Sequence, residues 1–365
     1  MHYHIQVVTE LKGLSELKSA WQELESCITE NTGFFASWAY TNAYLNHHQQ
    51  QQSDWCVVAI NEYGSKKLEA VFPLQIIQIE NAGQYFRFAK PLGVTYLPYI
   101  EFCARSQSRR EILNVLFGDT LRQNINVDAF CFWPLHERSS LYQTLLEDMG
   151  CSAAFKSIRL AGNLNELDTR GIGFDEYLRS RPSRTFSNAR YCQRKMSKAG
   201  DVRFCLAEHD PEGRLVEQLC MRTGQQFGEQ HAYRVKPGWE AYLRTLYTTL
   251  APLGLAELAT LRLNEQVISS ALIFHYKQRR YLYMYAYDPE YAAFSPSKVL
   301  LMNLIEQVFK ERGVLCFGAG AQDYKKDWAL SVGDLKAAFV FLNPEARNNL
   351  EPILIPANMY GLFGL

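Results

Sequence analysis

The sequence predicts an α+β protein made of two similar halves, each a mixed, mostly antiparallel sheet flanked by helices. Three observations predict it. Two three-strand meanders lie about two hundred residues apart, each follows a pair of helix-like segments, and each is followed by helix, strand and helix again. An antiparallel meander that feeds a helix and then a parallel strand gives a mixed sheet covered by helices. With 365 residues the chain has room for two domains, since domains commonly run to roughly 150 residues.

Residues 1–9 read as a first strand, and apolar residues then recur at helical spacing over 14–28 and 37–48. The first meander runs Trp55–Ile60, Lys67–Glu80 and Gln84–Ala89. Its turns, Asn61-Glu62-Tyr63-Gly64 and Asn81-Ala82-Gly83, have hairpin chemistry. A helix over 109–122, a strand over 129–133 and a helix over 139–149 complete this half. Gly162, Asn163, Asn165, Gly171 and Gly173 cluster over 161–173, which marks a boundary and places the domains at 1–165 and 166–365. In the second half, helices over 215–227 and 239–250 lead into strands Ala256–Leu263, Val267–Tyr276 and Tyr281–Asp288. A helix over 298–312, a strand over 314–317 and a short segment over 324–330 follow.

Hydrophobic residues at 47% and charged residues at 21% exclude a disordered or coiled-coil chain. The 38 Lys and Arg balance the 38 Asp and Glu, so no overall field gathers DNA and any polyanion site must be local. Nine cysteines are scattered without a C-x-x-C pair, which suits reduced thiols in the cytoplasm rather than a disulfide framework or zinc site. His47-His48 and His2-x-His4 lack further ligands at metal spacing, so no metal is expected. No apolar run approaches the roughly 20 residues of a spanning helix. The chain contains no G-x-S-x-G, Walker or G-x-G-x-x-G motif, which argues against hydrolase, triphosphatase and dinucleotide-dependent classes.

Chemistry concentrates in the second half. Strand alternation puts Tyr281, Tyr283, Tyr285 and Tyr287 on one face, where they suit either the wall of a substrate cleft or a cover over helices with hydroxyls at the rim. Ser295 and Pro296 form a helix start, an N-cap followed by a first-turn proline. The helix then buries Leu300, Leu301, Leu304, Ile305 and Val308 and ends at Gly313. Lys298 in the first turn opposes the helix dipole unless an anion binds there, so Ser295, Pro296, Ser297 and Lys298 read either as a phosphate cradle or as an ordinary cap with a solvated lysine. A strand ending Gly318-Ala319-Gly320 delivers Tyr324 and Lys325 to its edge, able to position an acyl group and an oxyanion. The alternative packs Tyr324 on Trp328 beneath a surface lysine pair. His275 is a candidate general base. Arg190, Arg194 and Lys198 share one helix face within a run free of acid from Tyr177 to Gly200, either a solvated face or a contact for a polyanion.

The order Asp288-Pro289, Ser295-Pro296-x-Lys298, helix, Gly318-x-Gly320 and Tyr324-Lys325-x-x-Trp328 resembles GNAT-fold acyltransferases of the branch associated with cellulose and exopolysaccharide biosynthesis. That branch is a distant relative of the Fem-type aminoacyltransferases, which also carry two GNAT-like halves. The resemblance implies tandem GNAT-like domains and N-acyl transfer from acyl-CoA, acetyl-CoA included, to a small-molecule or saccharide amine in polysaccharide or cell-envelope biosynthesis. It implies a donor pyrophosphate at Ser295 to Lys298. Together with the residue reading it gives Lys325, Tyr324 and His275 as catalytic candidates and Tyr285, Tyr287, Arg190 and Arg194 as candidate substrate contacts. The first half lacks a counterpart of the Ser295 loop and reads as structural. Ser297 stands where glycine is common and Cys316 where an acid is usual, which keeps open a catalytically silent binding module. The basic helix keeps open a Fem-like transferase that uses aminoacyl-tRNA.

Overall fold

The computed structural model describes residues 3–28, 33–48, 54–65, 67–93, 99–101, 103–118, 124–146, 155–227, 238–320 and 322–354. The expected helix ends near 122 and 149, and the start of the expected first strand, lie outside them. Described residues within Met1–Asn163 and Gly333–Gly364 form one compact unit, and those within Leu164–Val332 form another.

In the first unit, β1 (Tyr3–Val8) pairs antiparallel with β2 (Trp55–Glu62), which continues through β3 (Leu68–Asn81) to β4 (Gln84–Pro91). Helices α1 (Leu11–Cys27) and α2 (Trp38–His48) precede the meander. A short strand, β5 (Cys103–Ala104), joins β3, and α3 (Arg109–Leu116) follows it. β4 runs parallel to β6 (Ala129–His136) over Phe88↔Ala129 and Ala89↔Phe130, and α4 (Ser140–Leu146) comes next.

Of the Gly/Asn cluster expected as a boundary, Gly162, Asn163 and Asn165 lie in β7 (Phe155–Asp168), a strand of 14 residues within which the two units divide at Asn163, and Gly171 and Gly173 follow it. Its Gly162 takes φ 144°, which only glycine adopts readily, and this is why the segment reads as loop. Helices α5 (Phe174–Ser180) and α6 (Ser183–Ser197) follow, the second starting just after Pro182. In the second unit β8 (Val202–Cys205), β9 (Ala256–Leu263), β10 (Gln266–Tyr276) and β11 (Arg279–Tyr287) pair antiparallel in that order. Helices α7 (Arg214–Phe227) and α8 (Trp239–Leu250) lie between β8 and β9 in sequence, so the element order of the first unit recurs. After α9 (Pro296–Glu311), β12 (Val314–Ala319) runs parallel to β11, and α10 (Asp323–Trp328) follows.

β12 pairs with the end of β7 (Cys316↔Glu166), whereas β13 (Ser331–Phe341) pairs with β6 (Phe339↔Cys131). The segment from Gly333, assigned by sequence to 166–365, therefore folds with the first unit and carries α11 (Pro344–Leu354) with it. Alternation predicts a strand but not its partner, so the sequence alone does not reveal this return.

Within the second unit, α9 buries Val299, Leu300, Leu301, Leu304, Ile305 and Val308 against Ala259, Leu261, Ala271 and Ile273 of the sheet, the stripe its spacing predicts. Its end differs from the expectation. Arg312 takes the left-handed conformation at φ 52°, while a Cβ on Gly313 would meet the Gln278 carbonyl oxygen at 3.0 Å. Glycine is needed there for close approach, not for the turn. Tyr177, fully buried, donates its hydroxyl to the Trp328 carbonyl at 2.7 Å and so fixes the end of α10. Tyr177→Phe is expected to lower stability by about 1–3 kcal/mol, because that buried carbonyl loses its donor. Urea unfolding checks it.

Candidate active site

β11 carries the site, and a bulge decides which of its tyrosines take part. Leu272 pairs with Met284 and Ile273 with Leu282, so Tyr283 is an extra residue. The expected row of four tyrosines on one face is therefore broken. Tyr283 turns to Trp239 and Phe274, with ring centroids 6.2 Å and 4.9 Å away, while Tyr285 meets Tyr324 edge-on at 5.7 Å. The parallel pairing of β11 with β12 covers only Arg279↔Val314, Arg280↔Leu315 and Tyr281↔Cys316. Past that point β11 has no ladder to β12.

A cavity of about 670 Å³ opens in this region of the second unit. Tyr285 and Tyr287 of β11 line it, with Ser295, Ser297, Lys298 and Leu301 at the start of α9. Gln322, Tyr324, Asp327 and Trp328 come from α10 and the residue before it, Arg184, Thr185 and Asn188 from the first turns of α6, and Gln226 from α7. Its size and its mix of aromatic and polar wall suit a small-molecule site.

Ser295 occupies the N-cap position of α9, but it does so at φ 48° and ψ 54° and its side chain makes no cap hydrogen bond. The 3₁₀ turn Pro289–Phe294 ends on this residue and forces it left-handed. Pro296 has no N–H, and the Lys298 amide donates to the Ser295 carbonyl at 3.0 Å. The cradle is therefore narrower than the sequence suggests. It consists of Ser297, whose hydroxyl lies 3.4 Å from that of Ser269, and the exposed ammonium of Lys298.

The phenols of Tyr285 and Tyr324 interact: burial raises both, and their mutual interaction raises Tyr285 further while it lowers Tyr324, so Tyr324 is the readier of the two to ionise. Lys325 lies on another face of α10. It is 5% exposed, does not line the cavity, and donates to the Ala319 carbonyl at 2.5 Å. Burial pulls its pKa down to about 8. The lysine pair is thus divided, with Lys325 buried and Lys326 exposed. Trp328 packs edge-on against Phe186 at 5.0 Å, not on Tyr324.

Three predicted site residues lie elsewhere. His275 sits at the turn end of β10, opposite Arg280 in the register and 3.5 Å from Glu257 in a cluster that also holds Arg280 and Glu311. Tyr285 is five residues further along β11 from Arg280, about 16 Å at strand rise, which removes His275 as a base in the cavity. Arg190 and Arg194 are exposed on α6 and do not line it, whereas Arg184 and Asn188, one helical turn apart, do. Sequence reasoning missed Arg184, Thr185, Asn188, Gln226, Gln322 and Asp327. Only Asp327 had a readable signal, three residues after Tyr324 on one short helix.

Cys316 is fully buried and its thiol is pushed up to about 12, which makes it inert as a nucleophile. Among the described residues no group of three His, Cys, Asp or Glu could hold a metal ion, and no helix is long and apolar enough to cross a membrane.

The family model described as acetyltransferase (GNAT) domain matches residues 183–326, which include every cavity-lining residue except Asp327 and Trp328. None of the curated proteins matches the chain. Among solved structures, FemX is similar at 14% identity and a TM-score of 0.64, over 96% of this chain and 100% of that one. L-PGS from Bacillus licheniformis is similar at 12% identity and a TM-score of 0.51, over 82% and 90%. A conserved protein of unknown function from Bacteroides thetaiotaomicron is similar at 9% identity and a TM-score of 0.53, over 90% and 97%. At such identities the likeness is one of fold. Residues 183–326 match an acetyltransferase (GNAT) domain, the chain has the GNAT fold, and the match supports an acyltransferase.

Proposed function

We propose that the cavity binds an acyl-CoA and that the chain transfers its acyl group to an amine. The observation that carries the reading is the end of the β11–β12 ladder at Tyr281 and Cys316, beside a cavity walled by Tyr285 and Tyr324. An extended thioester arm laid along the open edge of β11 meets backbone donors there, and an amide of that edge polarises its carbonyl. Lys298 and Ser297 face the pyrophosphate at the start of α9. Tyr324 faces the sulfur that leaves. The acceptor class most consistent with the motif resemblance is a saccharide amine of polysaccharide or cell-envelope biosynthesis, with the reaction in the reducing cytoplasm. The described cysteines, none in a disulfide, suit that compartment.

The test is thermal unfolding against CoA, acetyl-CoA and longer acyl-CoAs. A ligand at roughly 100 times its Kd adds about 2.7 kcal/mol to stability, and no shift with any of them in folded protein overturns the reading. Lys298→Glu is expected to weaken acyl-CoA binding roughly tenfold, more at low salt than at high, because it reverses a rim charge beside the phosphates. Titration calorimetry at two salt concentrations checks this.

A second reading, a Fem-like transferase that draws on aminoacyl-tRNA, is favoured by one feature. Arg190, Arg194 and Lys198 are all exposed on or just after α6. Salt-dependent retention of tRNA, lost on reversing those three charges, supports it, and salt-independent or absent retention rejects it.

A further inference from the structure

We propose that Asp327 is the residue that recognises the acceptor, and that the acceptor enters this cavity as a primary ammonium. The inference rests on the acyl-transfer reading above. Asp327 is the one carboxylate among the cavity-lining residues. It is half-buried and has neither an ion pair nor a hydrogen-bond partner among the described residues. Other shielded carboxylates of this unit are answered, Glu166 by Arg279, Glu257 by Arg280, Glu208 by Arg262, Asp288 by Arg222 and Asp210 by the backbone amides of Arg214, Leu215 and Val216. The cations that share the cavity, Arg184 and Lys298, are exposed and do not pair with Asp327.

A wall whose one carboxylate is unanswered is complementary to a cation rich in N–H, and an ammonium brings three donors and no acceptor. A hydroxyl brings one donor, and a carboxylate ligand brings none. Asp327 follows Tyr324 by three residues on α10, so the two share a helix face about one turn apart. An amine held at Asp327 therefore lies beside the phenol that faces the leaving sulfur.

The experiment uses the full chain with aspartate carboxyls labelled with ¹³C, the Asp327 resonance being assigned by its loss in Asp327→Asn. The probes are n-butylammonium, n-butanol and butyrate at constant ionic strength, carried to about 100 mM because a lone ammonium binds weakly. The expected result is a saturable shift of the Asp327 resonance with the ammonium alone. A matching shift of the Tyr324 ring signals is expected to vanish in Asp327→Asn and persist in Asp327→Glu. An unmoved Asp327 resonance, an equal shift with butanol, or Tyr324 signals that respond equally in the asparagine variant overturns the proposal. Melting curves with acyl-CoA are recorded separately. An ammonium response without any acyl-CoA shift leaves the cation site standing and removes the acyl-transfer reading, while the reverse removes Asp327 alone.

Discussion

Tyr324→Phe is expected to lower kcat for acyl transfer by about 10²–10³-fold while the Kd for acyl-CoA changes by less than about threefold. When the tetrahedral intermediate collapses, the carbon–sulfur bond breaks and the sulfur takes the electron pair, so a proton supplied at that moment lowers the barrier. Tyr324 meets the requirement because burial raises its phenol above the ordinary value and keeps it protonated through neutral pH. Tyr285 stands against Tyr324, their ring centroids 5.7 Å apart, and its interaction lowers the Tyr324 phenol against the rise from burial, so it supports the phenolate that forms. Tyr285→Phe should therefore have a smaller effect, about tenfold in kcat, because it removes support for the donor and not the donor itself. Single-turnover thiol release for the two variants gives the comparison. If Tyr324→Phe turns over at the wild-type rate, the donor role is wrong. A loss confined to KM would make Tyr324 a binding residue.

Much of this site can be read from the residues because its signals are local. Ser295 and Pro296 mark the start of α9, Gly318 and Gly320 mark the end of β12, and the stripe from Leu300 to Val308 marks the buried face of the helix. Each depends on residues within a turn or two of one another. What the sequence hides depends on distant partners. Four alternating tyrosines promise one face, but the bulge at Tyr283 is a property of the β10–β11 pair. His275 stands on a cleft-forming strand, yet position along that strand puts it among Glu257, Arg280 and Glu311. The missing acid at Cys316 is a similar case. Its register partner across the sheet is Glu166, which pairs with Arg279, so a carboxylate stands beside the position although the strand itself lacks one. The return of β13 to the first unit is hidden for the same reason, since the strand carries no mark that β6 will be its partner.

Lys325→Met is expected to remove a contribution that raises stability with pH between about pH 8 and 10, and the sign follows from where the ammonium lies. In the unfolded chain a lysine titrates near 10.5, while in the native state burial holds this one at about 8. Below about 8 both states are protonated and the native state bears the full desolvation of a buried charge. Between the two values the unfolded chain keeps a proton that the native state has released, so stability rises with pH across the window and that gain is lost as pH falls through about 8. At about 1.4 kcal/mol per unit of displacement, the change amounts to a few kcal/mol. The buried thiols Cys56, Cys220 and Cys316, raised by burial, act in the opposite sense from about pH 9 in wild type and variant alike, so the quantity read is the difference between the two, and above pH 10 the buried phenols join them. Urea unfolding of wild type and variant at matched pH values measures it, and an unchanged difference across the window would show that the ammonium is not desolvated. The same variant separates two accounts of the site. Because Lys325 bonds Ala319, the last residue of β12, and Asn165 bonds the neighbouring Gly320 carbonyl at 2.8 Å, the lysine fastens the strand end from which Tyr324 projects. As a positioning residue it should cost about tenfold in kcat without moving the pH profile. A loss as large as that of Tyr324→Phe, together with disappearance of a kinetic pKa near 8, would instead place the ammonium in contact with the reacting carbonyl.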